Sequence, residues 1–80
     1  MTWDVNYEAP IVEVCGREEE FEAGDSFSGV VKDMARESGF SKFRVFLTQN
    51  GVTNEVDAEN APATLSEGQR VSIKPYEKAA

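Results

Sequence analysis

Cys15 is the one cysteine in this chain of 80 residues, and histidine is absent. A reactive thiolate needs a cationic neighbour or a helix N-terminus to lower its pKa. Glu13 on one side and the acidic run on the other oppose that, so Cys15 reads as an inert, half-buried thiol. A lone cysteine also has no partner for an internal disulfide, and zinc ligation of the usual Cys/His kind cannot be assembled. The run Glu18-Glu19-Glu20-Phe21-Glu22, with Asp25, supplies carboxylates in quantity. It lacks the alternating Asp/Asn spacing of a calcium loop, and acid–base pairs need an enclosing cleft that nothing here encodes. Two readings stay open for it: a solvated edge strand protected by charge, or a docking surface for a basic partner. No catalytic residue, metal site or cofactor is expected, and the chain is not expected to be an enzyme.

Composition narrows the partners. Apolar residues make up 40% and aromatic residues 10% of the chain, which suits a single globular domain rather than disorder. Fifteen acidic residues against eight basic ones leave a net charge of −7. Phosphate backbones are bound by clustered Lys and Arg, so nucleic acid is not expected, and neither is an anionic membrane. No stretch approaches the ~18 apolar residues of a membrane span, and the first residues lack the basic-then-apolar pattern of a signal peptide. A cytoplasmic, reducing location and a monomer are the expectation.

These residues must be positioned by a short series of elements. Trp3, Val5 and Tyr7 alternate with polar residues in a partly ordered leader, residues 1–8. Ile11 to Cys15 is rich in β-formers, and after Gly16-Arg17 a second extended segment runs from Glu18 to Glu22 with Phe21 inward. Ser26 is a suitable N-cap. Phe27, Val30, Val31 and Met34 follow at helical spacing, with Lys32, Asp33, Arg36 and Glu37 on the opposite face. Gly39 supplies the left-handed position past the helix end, and Phe40 folds back onto the last turn. Gly29 inside the helix suggests a close approach between helix and sheet. Phe43 to Thr48 is the strongest strand; Asn50-Gly51 reads as a type I′ turn into a return strand, Val52 to Val56. A connection from Asp57 to Ser66, with one helical turn, leads to Glu67-Gly68 and a final strand, Arg70 to Lys74, closed by Pro75.

The order β-β-α-β-β-β with these spacings resembles the β-grasp. Val12-Glu13-Val14-Cys15-Gly16-Arg17 followed by Phe21-Glu22-Ala23-Gly24 resembles the opening hairpin of the thiamine and molybdopterin sulfur carriers. Val30-Val31-Lys32-Asp33-Met34 looks like their helix, and Leu65 to Pro75 is similar to their closing Leu-x-x-Gly-Asp-x-Val-x-Ile segment, with Gln69 in place of the acidic residue. Small archaeal modifier proteins share this plan. The resemblance covers about residues 9–80. It implies an α+β, ubiquitin-like fold in which one helix packs on a mixed four- to five-stranded sheet, a domain at 9–76 and a flexible tail at 77–80. In these families a C-terminal glycine carboxylate is adenylated and then converted to a thiocarboxylate or an amide. Ala79 and Ala80 stand at the matching positions, and each adds a methyl where an activating enzyme threads bare backbone.

In such a fold one face of the sheet carries the helix and the other meets solvent. Strand alternation assigns Val12, Val14, Val45, Leu47, Val71 and Ile73 to the helix side. Ile11, Cys15, Arg44, Phe46, Ser72, Lys74 and Tyr76 then point outward, with Arg70 close by. Phe46 among Arg44, Arg70 and Lys74 is the candidate anchor of a partner-binding face, unless Trp3 or Tyr7 folds across it. If it is an anchor, Phe46→Ala is expected to change stability by no more than ~0.5 kcal/mol. The leading expectation is a ubiquitin-like protein that binds other proteins through this face and its tail. The alternatives are a carrier or modifier activated at the Ala80 carboxylate by an adenylating enzyme, and a subunit of a larger complex.

Overall fold

The computed structural model of the chain describes residues 8–75. They form β1 (Ile11–Val14), β2 (Arg17–Glu20), α1 (Phe27–Glu37), β3 (Phe43–Gln49), β4 (Val52–Val56) and β5 (Arg70–Pro75). One sheet of five strands has the order β2-β1-β5-β3-β4. The first and last strands, β1 and β5, lie side by side and parallel, whereas the remaining neighbours are antiparallel. The described residues therefore form a small α+β unit with one helix and a mixed sheet, compatible with the expected plan.

Both hairpins close with two residues. Asn50 (φ 55°) and Gly51 (φ 79°) join the Gln49–Val52 pair, as the sequence predicts. The first hairpin differs by one residue from the reading above. Its loop is Cys15 (φ 51°) and Gly16 (φ 82°), so Arg17 already pairs with Val14 and opens β2. Two consecutive positive φ angles match the right-handed twist of the flanking strands, and Gly16 meets that demand without strain. Cys15 takes the other left-handed position. It is exposed in the loop, not half-buried beside the sheet face.

Helix α1 starts and stops where its residues dictate. The Ser26 Oγ accepts a hydrogen bond from the Gly29 N–H at 3.2 Å. At the far end the Phe40 N–H donates to the Ala35 carbonyl and the Gly39 N–H to the Arg36 carbonyl, the two bonds of a Schellman stop. Gly39, at φ 82°, takes the left-handed place that this stop needs. Gly29 does not mark an approach of helix to sheet: a Cβ there would meet the Ser26 Oγ at 3.1 Å, so the crowding is with the cap itself.

The core lies between α1 and one face of the sheet. Val12, Val14, Val45, Val71 and Ile73 are buried there against Phe27, Val31, Met34 and Ala35, and Leu47 is half-buried at the margin. The expected inward set is thus the observed one. Leu65 and Gln69 were not legible as interior residues. Leu65 is 1% exposed, and its backbone exchanges hydrogen bonds with Gly24 and Asp25, which clamps the connection after β4 onto the residues just before the helix. Gln69 is 5% exposed; its Oε1 accepts from the Ser66 N–H at 2.8 Å, and its backbone carbonyl accepts from Ile11. The connection holds a single helix-like bond, from the Ala61 N–H to the Asp57 carbonyl, and no helix.

Candidate functional site

The candidate site is the sheet face opposite α1. Period-two alternation and the strand registers place side chains there in rows. Phe46 of β3 stands between Ser72 of β5 and Glu55 of β4. Arg44 pairs with Lys74, and Thr48 stands between Arg70 and Thr53. Across β1 and β2, Ile11 lies between Arg70 and Glu20, and Glu13 between Ser72 and Glu18. Phe46 is not part of the apolar cluster that packs on the helix.

Phe46 is half-buried all the same, because its own neighbours cover it. The Arg44 guanidinium carbon and the Lys74 Nζ each lie 5.6 Å from the ring centroid. Both cations meet the negative face of the ring, an attraction of about 0.5–1 kcal/mol each at an exposed position. This geometry accommodates two like charges on directly paired residues, which would otherwise repel. Arg44 is further held by Glu55 through two hydrogen bonds of 3.0 Å. The guanidinium beside it lowers the Glu55 pKa, chiefly through these bonds. Lys74 has no ion pair among the described residues.

Arg70 does not join this cluster. The sequence reading put it near Phe46, but it sits opposite Thr48 and turns the other way, towards Glu18 and, at 4.0 Å, Glu13. Ser72 donates to the same Glu13 carboxylate at 3.2 Å. The face therefore divides in two. One part is Phe46 with Arg44, Lys74 and Glu55; the other is Arg70 and Ser72 with Glu13 and Glu18, beside half-buried Ile11. Thr48 and Thr53, whose hydroxyls are 2.7 Å apart, close the β3–β4 side. Tyr76, Ala79 and Ala80, and the leader residues Trp3 and Tyr7, lie outside the described residues.

Glu13, Glu55, Thr48 and Thr53 are the members that the sequence reading missed. Glu55 was within reach: counting outward from the Asn50-Gly51 turn pairs it with Phe46. Glu13 depends on the parallel β1–β5 register, which no local signal specifies.

The face is amphipathic and mixed in charge rather than bare. Among the described residues the exposed large apolar side chain is Val52, at 58%, on the edge strand β4 and on the helix side of the sheet. No group of His, Cys, Asp and Glu among the described residues is arranged to hold a metal ion. No helix among them is long and apolar enough to cross a membrane. No family model, curated protein or solved structure matches the chain.

Proposed function

We propose that the chain is a protein-binding module of the ubiquitin-like β-grasp kind, similar to the sulfur carriers and protein modifiers, and that it works through the open sheet face without catalysis of its own. The order β2-β1-β5-β3-β4, with α1 on one side, supports the β-grasp reading. The observation that carries the functional reading is Phe46. An aromatic ring stands on an interior strand, away from the helix, gripped by Arg44 and Lys74. Folding gains about 1 kcal/mol from the ring through its two cation contacts, and a partner that covers its remaining exposed part removes further apolar area at about 25 cal/mol per Å². An aromatic ring beside an arginine is also the composition of an interface anchor.

The test is position-specific photocrosslinking in native extract, with the probe at Ser72 on the open face and, for comparison, at exposed Asp33 on the outer side of α1. Discrete adducts are expected at Ser72 and not at Asp33, and Phe46→Ala should abolish them. That substitution should lower the chain's own stability by about 1 kcal/mol, more than the ~0.5 expected from sequence, because two cation contacts go with the ring. Adducts at both positions alike, or adducts that survive Phe46→Ala, would refute the assignment.

A further inference from the structure

The outer edge of β4 lacks the protections that sheet edges usually carry. Val52-Thr53-Asn54-Glu55-Val56 holds no lysine, proline or bulge, whereas the opposite edge, β2, carries three glutamates. Val52 to Glu55 are all exposed, and Val56 is half-buried. The two-residue turn closes on the Gln49–Val52 pair, whose backbones bond each other. Antiparallel alternation then turns the N–H and C=O groups of Thr53 and Glu55 away from β3. These outward groups have no partner among the described residues. The row ends at Asp57, whose N–H is taken by the Asn60 side-chain oxygen at 2.6 Å.

The residues of this edge are complementary to themselves. Laid antiparallel against a second copy, Asn54 meets Asn54 on the two-fold axis, and the two carboxamides can exchange hydrogen bonds. Thr53 then stands opposite Glu55, and each such pair exchanges both backbone bonds with the groups that point outward. Val52 meets Val56 on the helix side, which covers the exposed large apolar side chain, 58% exposed in the single chain. Sliding the copies by two residues in one direction sets Val52 against Asn54. Sliding them in the other sets Val56 against Asn54 and Glu55 against Glu55, and like charges directly opposite are unfavourable. One register therefore matches apolar with apolar and keeps the carboxylates apart.

We propose that β4 pairs antiparallel with β4 of a second copy of this chain, joining the two sheets edge to edge. Both helices then lie on one side of the continuous sheet and both Phe46 rings on the other. The composition led to the expectation of a monomer. The net charge of −7 on each copy keeps the pairing weak, so that it is populated at high concentration.

The experiment is a dilution series of the isotope-labelled protein up to millimolar concentration, read by amide shifts and amide hydrogen exchange. Exchange of the Thr53 and Glu55 N–H groups should slow as concentration rises, because pairing gives them acceptors. Asn54→Asp and Asn54→Lys should each weaken the pairing about fivefold, since each sets like charges together on the axis. Asn54 is exposed, so both variants should fold as the parent does. Mixing the two variants sets Asp against Lys and should restore at least the parent affinity. A mixture no tighter than either variant alone, or variants that pair as well as the parent, would overturn the proposal. Concentration-dependent shifts centred on Phe46 and Ser72 would assign the contact to the open face and overturn it too. Thr53 and Glu55 unprotected at every concentration would do the same, leaving this edge to a strand of another protein.

Discussion

Arg44 carries three relationships at once: it faces Lys74 across the strand pair, reaches over Phe46, and grips Glu55 with two bonds. Alternation along β3 made its outward position legible. Its partner was hidden, because Glu55 lies on the next strand and becomes a neighbour only once the turn is counted through. The ion pair has a defined pH signature. Arg44 lowers the folded-state pKa of Glu55, so the pair's contribution is fully present above the carboxylate's unfolded value. It is lost as pH falls through the lowered folded value. Glu55→Gln should therefore be less stable than the parent at pH 7, by a small margin because the pair is exposed. The two should converge below about pH 4. Urea unfolding at both pH values measures this, and a gap that widens in acid would contradict the assignment.

At the level of elements, helix and turns were the most legible parts, because their signals are local. Ser26 caps, Gly39 stops and Asn50-Gly51 turns for reasons contained within a few residues. The first hairpin was misplaced by one residue, because Gly16-Arg17 and Cys15-Gly16 are both plausible two-residue loops. The two edges of the sheet differ in ways that follow from their residues. Every residue of β2 is exposed and three of its four are glutamates, a guard against edge pairing. Arg17 at its start ties that edge to the helix end through Glu37 at 2.9 Å. For α1, the cap offers the cleanest check. Ser26→Ala removes the acceptor for the Gly29 N–H and should cost about 1 kcal/mol in chemical denaturation. A loss below a few tenths would mean that the backbone bonds of residues 63–65 hold the helix start unaided.

For the whole molecule, the parallel contact of β1 with β5 and the clamp at Leu65 decide the architecture, and neither was legible as such. Parallel pairing joins the two ends of the domain and has no turn to announce it. Leu65 sits in a polar, proline-containing stretch that reads as surface loop, yet it is among the most buried side chains. Its burial follows from long-range hydrogen bonds to Gly24 and Asp25, which sequence spacing cannot encode. Leu65→Ala should destabilise the protein by about 2–5 kcal/mol, in a single transition seen alike by helix and sheet probes. Early melting of the helix alone would show that the connection and the sheet are not one cooperative unit.

The proposed binding face depends on α1 and Phe46 lying on opposite sides of one sheet. Proton–proton Overhauser contacts from the Phe46 ring test this most directly. The ring should contact the Arg44 and Lys74 side-chain methylenes and give none to Val31 or Met34. Contacts from the Phe46 ring to Met34 or Val31 would place it in the core, reverse the β3 register, and contradict the account.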